Sequence, residues 1–457
     1  MNTISRSDLQ QFVSVARQAC RSSPKGTGPP VTLVWNEGGG TIHTRIGGAA
    51  VELKGVPTGS PQSVTIPFAC LVEISKKGNG DVAFEDRQNN ARIRWNDGEE
   101  SLATDYEQVA SQPFPKAPLE YRDNPGLLAA LDAASRTASQ ASSRYTLQCL
   151  QLQGKTGRIV ATDGHQLLVQ NGFQFPWDDD LLIPASKVFG NRRIATDEPV
   201  SIGKTDSHVF LVTDAWTLAF PETAGRFPEV ESFLPKTRTA GTRLQIAEAD
   251  AEFLLERLPT LPGREDDHSP VTVDLNGQVV LRAADDNGRN RVEIVLSQSG
   301  CKGRSARFSS NRQFLARALN LGFREVSLPK SGSTACCLDG ERSYVWALLD
   351  EHSVVKPGKQ MERIVSPTPS TESSPPANHQ PKAKRNRMPQ ATSQNQNGSQ
   401  DAGIDTLIEQ AEDLKSSLKD SLGKVNEFVA ALKRQKKQAR LVRSTLASLK
   451  QLQTLDA

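Results

Sequence analysis

Residues Arg144–Val169 read RYTLQCLQLQGKTGRIVATDGHQLLV. Short β-type runs, LQCLQLQ and RIVAT, are separated by turn residues, GKTG and DG. The apolar positions repeat at short spacing rather than every three to four residues, so the stretch predicts strands joined by tight turns. Gly164 suits a turn that presents His165 and Leu167.

The same texture recurs on both sides. TLVWNEGGGTIHTRI, SHVFLVTDAWTLAF, VTVDLNGQVVLRAAD and TACCLDGERSYVWALL all read as strand pairs, with an Asn-Gly hairpin signal at Asn276–Gly277. Amphipathic helix candidates begin near Ser7, Asn124 and Glu248, about 120 residues apart. A second candidate follows each: Pro67–Ile74, Pro184–Phe189 and Asn311–Leu321. Asp8 and Asn124 suit helix caps, and Pro67, Pro125 and Pro184 suit first turns. The expected fold is therefore α+β: three repeated units, 1–118, 119–240 and 241–355, each with two helices packed on β-sheets. Exposed sheet edges make the units dependent on their neighbours.

The remainder of the 457 residues differs in kind. Residues 356–402 are rich in Pro, Ser and Gln and predict a disordered linker, with a basic cluster at Lys382–Arg387. Residues 403–457 carry apolar residues at alternating steps of four and three, such as Leu407, Ala411, Leu414 and Leu418, and predict a coiled-coil helix. Charge divides at the same place. Residues 356–457 hold 17 Lys and Arg against 10 Asp and Glu, net +7; residues 1–355 hold 38 against 42, net −4. An acidic body contacts DNA only by gathering its bases on one surface. The helix candidates supply such bases: Arg17, Arg136, Lys187, Arg192, Arg193, Arg312 and Arg317.

Several classes are set aside. No apolar run approaches the ~18 residues of a membrane span, and the first residues do not read as a secretory signal. The cysteines lack CxxC spacing, which predicts reduced thiols in a cytoplasmic protein without a metal site. Asp163 and His165 lie two apart, so an acid–base pair is geometrically allowed. Yet no GxSxG, phosphate loop or HExxH accompanies them, and nothing is placed to orient the histidine. A non-catalytic protein without cofactor is expected.

The ATDGH core, Ala161–His165, resembles the ATDGHRLA signature of the bacterial DNA polymerase III β subunit, the sliding clamp. GRFPEVESFLP, Gly225–Pro235, is similar to that family's GRFPDYRRVLP, and SYVWALL, Ser343–Leu349, looks like its YVVMPM terminus. The resemblance covers residues 1–351 and is tightest in the middle unit. It implies a processivity factor: a ring of two head-to-tail subunits around duplex DNA, with helices lining the hole. Such a ring needs phosphate attraction but no base reading.

It also implies a pocket between the second and third units that takes short peptides from polymerase subunits, the clamp loader and repair enzymes. The matching positions are Leu147, Thr162, Gly164, His165, Gln166, Leu167, Pro228, Ser232, Phe233, Val345, Ala347, Leu348 and Leu349. Gln166 and Ser232 stand where the family has arginines, and Ala347-Leu348-Leu349 where it has MPM, so the pocket keeps its apolar character without two cationic edges. Arg144 and Tyr145 match a segment that contacts DNA in the family. The alternative is a divergent clamp-like paralogue, a repair or scaffold protein whose coiled-coil tail selects the partner. QLQTL, Gln451–Leu455, faintly resembles a clamp-binding peptide.

Overall fold

The computed structural model describes residues 2–19, 26–140, 144–195, 197–234, 241–263, 268–285, 287–329, 332–358 and 360–368. Cys20, most of the expected linker and the whole expected coiled coil, Lys382–Arg387 and Gln451–Leu455 included, lie outside the described residues.

Five α-helices occur among the described residues: α1 (Arg6–Ala19), α2 (Phe68–Ile74), α3 (Leu127–Thr137), α4 (Glu248–Arg257) and α5 (Arg312–Asn320). The repeat is sharper than the sequence suggested. A short strand opens each unit at Asn2, Arg122 and Thr242 and is followed by α1, α3 or α4. Next come a three-strand meander, a further strand, a second helical turn and a second meander. In the first unit the meanders are Pro30–Asn36, Gly39–Ile46, Ala49–Val56 and then Asn79–Arg87, Asn90–Asp97, Glu100–Glu107. In the second they are Cys149–Gln153, Arg158–Thr162, Gln166–Gln170 and then Val200–Lys204, His208–Val212, Trp216–Pro221. In the third they are Pro270–Asn276, Gln278–Ala284, Arg291–Leu296 and then Glu325–Leu328, Thr334–Leu338, Arg342–Ala347.

The sheets cross from unit to unit. An eight-stranded sheet joins the first unit to the second through Ala49–Val56 against Trp216–Pro221, antiparallel. A nine-stranded sheet joins the second to the third through Gln166–Gln170 against Arg342–Ala347, also antiparallel. One continuous core runs under the first two units, from Leu9 and Phe12 of α1 to Val188, Phe189 and Trp216. The third unit has its own core, into which Leu168 of the second unit inserts. Each junction thus buries backbone edges that a unit alone leaves open.

Local chemistry explains where the sequence expectations shift. Ser5, not Asp8, caps α1: its Oγ accepts from Asp8 N at 3.0 Å and donates to the Asp8 carboxylate at 2.7 Å. Asn124 lies in a strand, and α3 starts after Gly126, whose φ of +70° marks the entry turn. Pro67 precedes α2 rather than opening it. Asn311 does cap α5, accepting from Gln313 N at 2.8 Å. In the second unit the expected helix Pro184–Phe189 is absent. Pro184 ends strand Asp180–Pro184, and only a 3-10 turn, Lys187–Gly190, follows, capped by Ser186. Part of the expected linker is also ordered: Glu362–Val365 pairs in parallel with Arg291–Leu296. No helix among the described residues is long and apolar enough to cross a membrane.

Candidate peptide groove and basic helix face

Strand alternation sends neighbouring side chains to opposite faces of the second junction. Leu167 and Val169 turn one way and join Val345, Cys149, Val160, Leu182, Phe227, Val230 and Cys336 in an apolar cluster, with Leu234 against it. Burial pushes the Cys336 thiol up to about 11, so it stays protonated and donates to Ser327 O. The cluster lies on the sheet face away from α3 and marks the candidate groove.

The ATDGH turn sits at the head of this groove. Asp163 Oδ1 accepts from the backbone N–H of His165 at 2.8 Å and of Gln166 at 2.9 Å. Thr162 Oγ1 donates to Gln166 O at 2.6 Å and accepts from Gly164 N. Gly164 has φ +95°, which favours glycine although the space beside it is open. The turn holds His165 exposed, and His165 O accepts from Ala347 N at 2.9 Å, tying the two units at the groove's end.

A loop from Gly225 to Leu234 forms the far wall. Phe227 and Val230 are buried in the cluster, Pro228 is half-buried, and Ser232 and Phe233 are exposed, Phe233 by 62%. Arg158 grips Glu231 of this loop at 2.8 Å. Gly225 comes so close to Thr146 that an added Cβ would lie 2.7 Å from its methyl group. This contact sets the loop against the 3-10 turn Tyr145–Gln148, where Leu147 is buried.

Three expected groove residues are placed elsewhere. Gln166 is buried on the opposite face: its amide donates to Asp163 Oδ2 at 2.9 Å and to Thr137 O at 3.4 Å, and its oxygen accepts from Tyr344 at 2.6 Å. The missing arginine at that position is therefore no loss to the groove edge. Leu348 packs against the third unit's core, and Leu349 N donates to Ser309 O at 2.9 Å. Conversely, Val160, Leu182, Phe227, Val230 and Cys336 were not singled out from the sequence. Phe227 and Val230 stood inside the GRFPEVESFLP match, and Val160, Leu182 and Cys336 share one phase of their strands with Leu167.

The helix side is polar. Arg17 and Gln18 of α1, Asp132, Ser135 and Arg136 of α3, and Lys187 line a cleft of about 770 Å³ between the first two units. Ser186 Oγ donates to Gln18 O at 3.0 Å across that boundary. Arg136 is exposed and pairs with Asp132 at 2.9 Å, while Lys187, Arg192 and Arg193 are exposed. Arg144 and Tyr145 are exposed.

Two of the expected DNA-contacting arginines are structural. Arg312 is 3% exposed; its guanidinium donates to the carbonyls of Ser269, Leu261, Pro262 and Pro270 at 2.6–2.9 Å. It satisfies carbonyls of the connection from α4 to strand Pro270–Asn276 and has no surface left for phosphate. Arg317 reaches from α5 to Ala133 O and to Thr137 Oγ1 (3.2 Å) on α3, joining the third unit to the second. Burial lowers its pKa below the usual guanidinium value. Spacing along a helix could not separate these two from the exposed bases, because an arginine that caps carbonyls looks the same in sequence.

The arrangement is that of a clamp: repeated sheet-and-helix units with sheets continuous through every junction and helices gathered on the other face. Comparison with solved structures gives the fold directly. The chain is similar to the DNA polymerase III β subunit of Pseudomonas aeruginosa, at 20% identity and a TM-score of 0.61, covering 76% of this chain and 99% of that one. It is likewise similar to the DNA polymerase sliding clamp of Bacillus subtilis, at 14% identity and 0.63, covering 76% and 98%. The β subunit of Borrelia burgdorferi, solved with a natural product, is similar at 11% identity and 0.65, covering 76% and 97%. No family model matches the chain. No curated protein matches it either. The fold is therefore that of the bacterial sliding clamp, in a sequence that has diverged far from these structures.

Proposed function

We propose that this chain is a non-catalytic DNA clamp: two copies close into a ring around duplex DNA, and the groove at the second junction holds peptide segments of replication or repair proteins. The observation that carries the reading is the two-sidedness of the body. One face carries an apolar cluster headed by the ATDGH turn; the other gathers Arg17, Arg136 and Lys187 at a helix-lined cleft. An extended peptide with apolar anchors fits the first, and a sequence-independent phosphate surface fits the second. DNA, polymerase subunits and the clamp loader are the partners of this proposal, and the cytoplasm its place. The units 1–118, 119–240 and 241–355 belong to the proposal too, with the third extended to include Glu362–Val365.

The test is fluorescence anisotropy of a labelled peptide that begins with Gln and ends in an apolar and an aromatic residue. Micromolar binding that Leu167→Asp weakens at least tenfold is expected. No binding to the native chain would overturn the groove reading. A repair or scaffold role without ring closure is a second reading, and the strand at Glu362–Val365 favours it, because that strand covers a sheet edge.

A further inference from the structure

Both internal junctions obey one rule. The last strand of a unit's first meander pairs antiparallel with the last strand of the next unit's second meander. Ala49–Val56 takes Trp216–Pro221, and Gln166–Gln170 takes Arg342–Ala347. Applied a third time, the rule assigns Arg291–Leu296 to Glu100–Glu107. Within one chain this pair does not form: among the described residues Glu100–Glu107 ends its four-stranded sheet and pairs with Asn90–Asp97 alone. The missing partner is a second copy. The first-unit edge carries Glu100, Asp105 and Glu107 and no base, while the third-unit strand carries Arg291 and one acid, Glu293, which Arg282 holds at 2.6 Å.

In this chain the third-unit edge is already taken. Glu362–Val365 lies along it, Val292 opposite Glu362 and Val295 opposite Val365. We infer that Glu362–Val365 is a self-supplied strap that holds the seat of a second copy's Glu100–Glu107, so that ring closure requires its release. The inference rests on the clamp reading above and adds a regulatory element to it.

The strap is built to be displaced. It is four residues long, against eight in the competing strand. It pairs in parallel, whereas every other strand pair among the described residues is antiparallel, and parallel pairing is slightly weaker per residue. Glu362, Arg363 and Val365 are exposed, and only Ile364 packs on the third core. Its anchor is the next residue. Ser366 is buried; its N–H donates to Val295 O, its Oγ donates to the buried carboxylate of Asp250, and that Oγ accepts from Ser297 N at 2.8 Å.

The test uses the full chain with benzoylphenylalanine in place of Leu102, an exposed apolar residue of the first-unit edge. Irradiation is followed by mass spectrometry of cross-linked peptides, which reads this edge whether or not the tail associates. The chain is compared with an Arg363→Pro/Ile364→Pro variant, which cannot keep the strap paired, and with the milder Ser366→Ala. Hydrogen exchange of Val292–Val295 runs alongside. We expect cross-links from residue 102 to 289–297 of another copy to rise at least tenfold on strap release, with an intermediate rise for Ser366→Ala. Equal cross-linking in all three overturns the strap as a gate and leaves the ring intact. Absent cross-linking, with Val292–Val295 exchanging at least tenfold faster in the variants, shows an opened edge that takes no second copy, and the ring reading falls. Unchanged exchange in both variants shows that the strap never covered the edge and overturns the inference.

Discussion

Replacing Tyr344 by phenylalanine removes one oxygen from the second junction. Tyr344 is fully buried, and its hydroxyl donates to Gln166 Oε1 at 2.6 Å. Burial drives the phenol pKa well above its usual value, so the hydroxyl is a donor at every working pH. Gln166 is itself buried, and its amide is committed to Asp163 and Thr137. The substitution leaves Gln166 Oε1 without a partner in a dry site, which costs about 1–3 kcal/mol. Urea unfolding followed through Trp346 reads the effect locally, since that ring is buried and its centroid is 5.2 Å from Tyr344. A double-mutant cycle with Gln166→Leu isolates the pair: a coupling of about 1–2 kcal/mol is expected, because the double variant strands no acceptor at this bond. Peptide affinity should change less than about threefold, because the bond lies on the strand face away from Leu167. A single-variant cost and a coupling both below about 0.5 kcal/mol would refute the argument and mean that water replaces the hydroxyl.

Two further outcomes separate role from appearance. Arg312→Ala should lower stability by about 3 kcal/mol or more, since charge-assisted bonds contribute about 1.5–3 kcal/mol each, whereas Arg136→Ala and Lys187→Ala should leave stability within about 0.5 kcal/mol and each reduce the salt slope of duplex binding by about 0.9; filter binding from 50 to 200 mM salt with parallel melts checks both. Cys336, pushed up from 9.0 to about 11, favours the folded state while protonated. Its contribution is complete below pH 9 and lost as pH rises toward about 11, so Cys336→Ala should flatten the fall of stability across that window.

The fold was legible because its repeat is written in strand pairs and in helices about 120 residues apart, beginning at Arg6, Leu127 and Glu248. The motifs ATDGH and GRFPE stood out in the sequence, and the structure brings them to one junction, where Leu167 and Phe227 share a cluster. What stayed hidden has physical reasons. Ser5 and Asp8 both suit a cap, and only the reciprocal bond decides between them. Gln166 and Leu167 are adjacent in sequence but face opposite ways, so a motif match cannot tell groove from core. Arg312 and Arg317 have the composition of phosphate-binding residues, yet carbonyls reached through tertiary packing consume them. The strap was invisible because a parallel partner lies about seventy residues away and leaves no hairpin signal.

The strap also reconciles the divergence of the chain with its retained fold. A sheet-built repeat leaves one open edge at each end, and open edges invite association with any strand. Closing the ring removes both edges at once. A chain that carries its own edge strand covers the third-unit end by itself, and the first-unit end is left with Glu100, Asp105 and Glu107, charges that discourage indiscriminate pairing. Such a body exposes one bare strand edge fewer while it stands alone.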